Sequence, residues 1–292
     1  MASLRQIRQR MKSIHNVHEI TKAMGMIASF RFKRAENRFS KSRGYFLEME
    51  KLVRNLSTGA KGRSRHALLP HPLFETRKVQ KKALVVMTGD KGLCGAYNAN
   101  LLKEAAHWMR QNNAFETTLI PVGKVGNDFL KKKHQPILTA YPEKVMVDLA
   151  LAKKMTEDLK NFFLSGQVDS IELLYTGYQT GFSGRNVLTP YLGLSYLTDD
   201  SRGQKETVDY IYEPDFNTVF LSLLSGYLEG KVYMTLLESL TSESSARMLA
   251  MKQATDNAED VLDDLKLLRN KTRQATITRE LSEIVSGASV LV

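Results

Sequence analysis

The chain has 292 residues, of which 42% are hydrophobic and 25% charged, and its formal net charge is +11. This length is enough for one large or two ordinary domains with a substantial core, and the short apolar runs exclude a helix that crosses a membrane. The single cysteine, Cys94, excludes an internal disulfide and is typical of a reducing compartment. The basic first residues, MASLRQIRQRMKSI, lack the apolar block of a secretory signal.

The charge is divided unevenly along the chain. Residues 1–56 hold 13 Lys and Arg against 4 Asp and Glu, whereas residues 215–292 hold 8 against 11. A basic protein is a candidate for nucleic-acid binding. Two long helices of opposite charge would instead lie against each other and turn the excess positive charge towards an acidic partner. Composition alone leaves both alternatives open.

The sequence predicts a long helix over residues 3–56. Ser3 and Gln6 have the spacing of a capping box, in which each side chain satisfies a backbone N–H of the other residue. An unbroken 3-4 alternation predicts a left-handed coiled-coil seam. Its positions are Leu4, Ile7, Met11, Ile14, His18, Thr21, Gly25, Ala28, Phe32, Ala35, Phe39, Ser42, Phe46, Met49, Val53 and Leu56.

Residues 57–79 are predicted to be a connector and residues 80–208 a Rossmann-like α/β middle domain. Strands alternate there with helices, which indicates a mostly parallel sheet. Predicted strands cover 83–87, 117–122, 170–175 and 186–196, predicted helices cover 98–110, 123–133 and 145–163, and 198–206 is a predicted surface loop.

A second long helix is predicted over residues 216–286, within a carboxy-terminal segment 209–292. Asp215 is its candidate N-cap and Gly287 its candidate C-cap. Its predicted seam is Met251, Ala254, Ala258, Val261, Leu265, Leu268, Thr272 and Ala275. Antiparallel pairing with the first helix would leave about 15 residues without a partner, from near residue 272, or roughly 22 Å of single helix. A large helical bundle and an ordinary coiled-coil dimer are the alternative architectures, but a bundle needs partner helices that the middle of the chain does not supply.

The sequence contains no constellation typical of an active site. The GDKGLCG segment, residues 89–95, lacks the Lys-Ser/Thr of a phosphate-binding loop, so we expect its glycines to make a tight strand-to-helix turn. The histidines show no metal-ligand pattern, and one cysteine cannot build a zinc site. We therefore expect no catalytic residues, no metal and no cofactor.

Three segments identify a family. ITKAMGMIAS (20–29), GDKGLCGAYN (89–98) and the block 245–288, which begins SARMLAMKQATDNAED, resemble the gamma subunit of F-type rotary ATP synthases. The resemblance extends over the whole chain. It implies an antiparallel coil of the terminal helices joined to an α/β domain. The absence of an inserted loop with a cysteine pair favours a bacterial form over a plastid one, with a mitochondrial form as the alternative.

The resemblance implies a central rotor shaft that is not itself catalytic and that couples ion transport, such as hydrogen ion flow, to ATP synthesis or hydrolysis. The implied partners are a hexamer of alternating alpha and beta subunits, the epsilon subunit and a membrane ring of c subunits. The implied location is peripheral, on the cytoplasmic face of the bacterial cell membrane. Residues matching the hexamer-contacting, coupling surface are Met24, Arg247, Arg273, Gln274, Thr278 and Glu280. Tyr212 and Glu213 match the foot that meets the c ring.

Two other functions remain as alternatives. A basic coiled-coil adaptor or nucleic-acid-binding protein would bind duplex DNA in a strongly salt-dependent way. A nucleotide-binding α/β enzyme would bind ATP through its middle domain.

Overall fold

The computed structural model of the protein describes residues 3–59, 72–74, 77–141, 147–178, 184–194 and 212–289. Apart from one 3-10 turn at Pro72–Phe74, its regular elements are five helices and four strands within these residues. In chain order they are α1 Leu4–Gly59, β1 Lys81–Met87, α2 Tyr97–Gln111, β2 Glu116–Val122, α3 Lys124–Lys132, α4 Leu149–Leu164, β3 Ser170–Gly177, β4 Arg185–Leu192 and α5 Phe216–Ser289.

The chain divides into two compact units by its internal packing. The coil unit comprises residues 1–29 and 247–292, and the sheet unit comprises residues 30–246. Helices α1 and α5 each contribute to both units. The sequence analysis set segment boundaries after residues 56, 79 and 208 from the predicted ends of helices, not from packing. These boundaries stay a prediction.

Both long helices begin as the sequence predicts. The Ser3 N–H donates to Gln6 Oε1 at 2.9 Å, and the Gln6 N–H donates to Ser3 Oγ at 3.3 Å. At the start of α5, Asp215 Oδ1 accepts from the Thr218 N–H at 3.0 Å and its Oδ2 accepts from the Thr218 hydroxyl at 2.6 Å. Each cap satisfies backbone N–H groups that have no partner inside the helix.

In the coil unit, α1 and α5 pack antiparallel. The Thr255 hydroxyl donates to Thr21 Oγ1 at 2.9 Å, and a Cβ added to Gly25 would lie 3.5 Å from the Cβ of Met251. The residue numbers of both facing pairs add to 276. From Leu4 to Ala28 every predicted seam position is buried or half-buried, and the other residues of 3–29 are exposed. The seam predicted for α1 is confirmed here.

The seam predicted for α5 is confirmed at Met251, Ala254 and Ala258, which are all buried or half-buried, but it is wrong at alternate positions from Val261 onward. Val261 and Leu268 are 38% and 45% exposed, and Ala275 is also exposed. The residues one place further along take their places. Buried or half-buried in the observed line are Met251, Thr255, Ala258, Leu262, Leu265, Arg269, Thr272 and Thr276. The predicted seam and the observed line of buried residues share positions 251, 258, 265 and 272, so the periodicity of α5 alone cannot choose between them. The choice depends on the residues of α1 that face α5.

The far end of α5 extends beyond the coil. The register places Leu4 opposite Thr272, and residues 277–285 are all exposed. The predicted single-helix overhang is therefore confirmed for the described residues. The predicted stop at Gly287 is wrong, because α5 continues through Ser289. A glycine inside a helix costs about 1 kcal/mol relative to alanine, which weakens a helix without ending it. Residues 290–292 lie outside the described residues.

The sheet unit is built around a four-stranded sheet of order β2-β1-β3-β4. Strand β1 pairs in parallel with β2 and β3, and β4 joins β3 antiparallel at one edge. The predicted mostly parallel α/β domain is confirmed. Alternate residues of β1 face opposite sides: Val85 packs in a core with α1, α4 and α5, while Val86 packs in a core with α2 and Leu130 of α3. Helices cover both faces, as a parallel sheet requires.

Helix α4 starts later than predicted. Asp148 Oδ1 accepts from the Leu151 N–H at 2.9 Å and caps a helix that begins at Leu149, not at residue 145. Residues 142–146 lie outside the described residues, as do the predicted loop 198–206 and much of the predicted connector 57–79, into which α1 extends as far as Gly59. None of the helices that the structure describes is both long and apolar enough to cross a membrane.

Candidate functional site

An exposed apolar stripe runs along α1 beside the coil seam. Val17, Ile20, Met24 and Ile27 have the 3-4-3 spacing of one helix face, and Met24 is 37% exposed. Each lies one residue before a seam position. The stripe therefore flanks the groove between α1 and α5 without being covered by either helix in the described part of the chain. The predicted contact residue Met24 is thus one of a row of exposed apolar side chains. The sequence analysis did not find this row, because the coiled-coil repeat one residue further along is the stronger pattern.

The overhang of α5 presents a second apolar surface. Ile277, Leu281, Ile284 and Val285 are exposed, the last two at 68% each. Isolated exposed apolar residues are ordinary in soluble proteins, but a run of them on one unaccompanied helix marks an interaction surface. Only one ion pair lies within residues 277–285 in the structure, between Arg279 and Glu283 at 3.3 Å.

Four predicted contact residues occupy this same end of α5. Arg273 and Gln274 lie just beyond Thr272, where the coil with α1 ends, and Thr278 and Glu280 follow on the overhang. All four side chains are exposed. An exposed guanidinium and a primary amide are free to bind carboxylates, hydroxyls or carbonyl groups of a surrounding protein.

The remaining predicted residues are placed differently. Arg247 is half-buried on α5 in the coil unit. Tyr212 and Glu213 belong to the sheet unit, immediately before α5. The Tyr212 ring is half-buried and packs edge-on against Phe216, with centroids 5.1 Å apart, whereas Glu213 is exposed. Tyr212 therefore anchors this segment to the core, and Glu213 is the residue available to a partner.

The loop 89–95 is packed against α5 and does not form a phosphate cradle. The Gly89 N–H donates to Asn98 Oδ1 at 2.9 Å, and a Cβ added to Gly89 would lie 2.6 Å from Glu243 Oε1. A carboxylate at this position opposes an anionic ligand. Gly95 adopts φ 57, in keeping with the predicted tight turn.

The neighbouring residues extend this contact. The Tyr97 hydroxyl donates to the Ser239 carbonyl oxygen at 3.1 Å, and burial raises the pKa of that phenol above its ordinary value. Open α/β sheets bind ligands at the carboxyl ends of their strands. In this protein Glu243 and Ser239 of α5 occupy the space at the carboxyl end of β1. The site where such a sheet usually binds a nucleotide is therefore filled, which argues against the nucleotide-binding alternative. The sequence predicted a glycine-rich turn at residues 89–95, but it could not show that Gly89 lies against α5.

Comparisons with known proteins agree over the whole chain. The family model described as ATP synthase matches residues 3–291. The ATP synthase gamma chain of Protochlamydia amoebophila is 35% identical over 292 residues, and that of Ralstonia nicotianae is 37% identical over 299 residues; each alignment covers all of both chains.

Solved structures show the same architecture. A chain of the central stalk and c-ring structure of the Tetrahymena thermophila mitochondrial ATP synthase matches with a TM-score of 0.60 and 25% identity, covering 80% of this chain and 99% of its own. A chain of the Euglena gracilis mitochondrial ATP synthase, in a structure of OSCP, F1 and c-ring, matches with a TM-score of 0.67, covering 99% of this chain and 94% of its own. The second match, at 18% identity, is evidence of fold alone.

Proposed function

Because the chain belongs to the ATP synthase gamma chain family, we propose that it is the central rotor shaft of an F-type ATP synthase. It couples ion flow through a membrane ring of c subunits to ATP synthesis or hydrolysis on the beta subunits. The chain performs no chemistry in this scheme. Its contribution is a coupling free energy between distant sites, carried by an element with distinct angular positions. The comparisons favour this function over nucleic-acid binding.

The observation that carries the proposal is the exposed apolar end of α5. Residues 273–289 make about 25 Å of helix beyond the last facing residue of α1. Apolar surface left in water costs roughly 25 cal/mol per Å², so this end is suited to a partner that encloses it. The axial hole of a hexamer of alternating alpha and beta subunits is such an enclosure. Contacts between apolar side chains are non-directional and resist rotation less than hydrogen bonds do.

The polar residues at the base of the overhang provide the directional contacts. Arg273 and Gln274 meet carboxylates and hydroxyls of the surrounding hexamer at particular rotor angles, with Thr278 and Glu280 above them. The stripe containing Met24, together with Arg247, forms a second contact level on the coil unit. Contacts that form at one angle and break at another make the three catalytic beta sites inequivalent, which is what coupling requires.

A separate contact, with the c ring, is assigned to the segment before α5. Glu213 offers an exposed carboxylate, while Tyr212 is anchored against Phe216, so the segment presents a charge from a fixed backbone. It meets the c ring, together with the epsilon subunit. The proposed location is peripheral, on the cytoplasmic face of a bacterial cell membrane, where its partners hold the protein.

Reconstitution with the alpha–beta hexamer and the remaining subunits tests the proposal. The double variant Arg273→Ala with Gln274→Ala removes two exposed groups and leaves the fold intact. Losing two contacts of about 1 kcal/mol each slows coupled, proton-driven synthesis by at least about tenfold. The matched control is Lys103→Ala with Glu104→Ala, an exposed pair on α2, which leaves synthesis unchanged.

Two results separate the parts of the proposal. If the chain does not co-purify with the hexamer, the rotor function itself is wrong. If it assembles but synthesis in the Arg273 and Gln274 double variant equals that of the unaltered protein, only the assignment of these residues to the coupling contact is wrong.

A further inference from the structure

Three metal-binding side chains lie together on α1 in the coil unit. His15, His18 and Glu19 have i, i+3 and i+4 spacing, which places them on one helix face. One ligand atom from each lies within 4.8 Å of the other two. His18 Nδ1 is 3.1 Å from Glu19 Oε1, and the rings of His15 and His18 are nearly parallel, with centroids 6.4 Å apart. Neither the family match nor the proposed rotor contacts use this cluster.

The ligand spacing is close to that of a transition-metal site. Zinc bonds to imidazole nitrogen and carboxylate oxygen at about 2.0–2.2 Å, so tetrahedral ligand atoms lie about 3.3 Å apart. The His18–Glu19 distance of 3.1 Å is already close to this value. The His15 and Glu19 side chains are exposed, so a side-chain rotation closes the remaining gap without disturbing the core.

The surroundings hold one ligand in place and bring acidic side chains of α5 to the same level of the coil. His18 is a seam residue, and only 17% of its side chain is exposed, because it packs against α5. The register places Ala258, a small side chain, opposite His18. The same register places the acidic residues Asp256, Glu259 and Asp260 of α5 across from residues 16–20. Their negative charge offsets the positive charge of Lys12 and Lys22, which lie one turn from His15 and Glu19 on α1.

We propose that His15, His18 and Glu19 form a binding site for one divalent transition-metal ion, with zinc the preferred physiological ion. Two imidazoles and a carboxylate leave an open position that water fills. Magnesium and calcium are poor occupants because they require oxygen ligands. Among first-row ions, copper binds more tightly still, in keeping with the general order for nitrogen and oxygen ligands. The bound ion links residues 15 to 19 and rigidifies one turn of α1.

Titration calorimetry with zinc chloride tests the site. The full chain is purified without a histidine tag and treated with a chelator beforehand. The expected result is saturable binding of one zinc ion per chain. His15→Ala and His18→Ala each weaken that binding by at least about tenfold, as expected for loss of a ligand, and Glu19→Gln weakens it as well. Circular dichroism confirms that the three variants remain folded.

Two controls remove competing sites. His107→Ala deletes an exposed histidine on α2, and Cys94→Ser deletes the buried thiol; both leave zinc affinity unchanged. Hydrogen exchange provides a second measurement, because zinc slows exchange of the backbone amides around residues 15–19 in the unaltered chain but not in His18→Ala.

Three outcomes overturn the proposal. The first is the absence of saturable binding up to millimolar zinc. The second is a zinc affinity that either histidine variant leaves unchanged, since a site of these three ligands needs both imidazoles. The third is zinc binding that His107→Ala or Cys94→Ser abolishes, which places the ion elsewhere in the chain.

Discussion

The facing threonines of the coil unit allow a direct test of the helix register. The hydroxyl oxygens of Thr21 and Thr255 are 2.9 Å apart. Cysteine Sγ atoms at the same positions need to approach to only about 2 Å to form a disulfide. We expect Thr21→Cys with Thr255→Cys, in a Cys94→Ser background, to cross-link readily on mild oxidation. Serine suits position 94 because the group there accepts a hydrogen bond from Asn98 Nδ2.

The magnitude follows from the size of the closed loop. The two positions are 234 residues apart. Closing a loop of this length removes enough chain entropy from the unfolded state to stabilise the protein by about 5 kcal/mol, if the native geometry is unstrained. Denaturation in urea with and without reductant measures this difference. A non-reducing gel followed by peptide mapping identifies the linked pair.

The control is Met24→Cys with Thr255→Cys, since Met24 lies beside the seam on the exposed stripe. Equal rates of cross-linking in the two pairs would refute the register. The oxidised Thr21 and Thr255 pair also bears on the proposed function. If both helices turn as one body, the cross-linked chain keeps its coupled turnover in the assembled complex. Loss of turnover that reductant restores would contradict rotation of α1 and α5 together.

Two further predictions concern the sheet unit. Gly123 has φ +94, and an added Cβ would meet the backbone oxygen of Thr88 at 2.3 Å. We expect Gly123→Ala to lower the free energy of unfolding by roughly 3 kcal/mol, whereas Gly166→Ala, with φ +71 and open space around it, costs about 1 kcal/mol in the same urea titration. Burial lowers the pKa of Lys231 to about 8, from an ordinary value near 10.5. Between pH 8 and 10.5 the Lys231 side chain is protonated in the unfolded state and neutral in the folded state, so this residue makes the free energy of unfolding rise with pH. We expect Lys231→Met to flatten that rise, measured by urea denaturation from about pH 8 to 10. If the free energy of unfolding of Lys231→Met depends on pH as that of the unaltered protein does, the lowered pKa of Lys231 is not the cause of the rise.

The prediction of the helices succeeded because their signals are local. The Ser3–Gln6 box and the Asp215 cap use side chains within three residues of the groups they satisfy, so the pattern is complete in the sequence. The alternation of strands and helices in the middle domain is equally local. The α1 seam was also readable, since its strict repeat runs unbroken from Leu4 to Leu56, much further than the exposed stripe beside it.

The α5 seam and the end of α5 show the limit of such reasoning. Val261 and Leu268 fit one repeat and Leu262 fits another, and the choice depends on residues more than 200 positions away, such as Thr21 facing Thr255. Gly287 carried a C-cap signal, but a glycine permits a helix stop without enforcing one. The histidine cluster was missed for a different reason. The H-x-x-H-E pattern is local, but its value as a site depends on side-chain distances that spacing alone does not give.

The sequence by itself determined which segments are helical, which are strands, and that a surplus of helix exists at the carboxyl end. Backbone hydrogen bonding and periodic burial act over a few residues, and these features follow from them. Only the tertiary structure decided which flank of each long helix stays exposed, that Glu243 and Ser239 occupy the strand ends beside β1, and that His15, His18 and Glu19 converge. The first two features depend on register and packing between distant segments, so no single segment carries the information. The third depends on side-chain rotamers, which residue spacing alone does not fix.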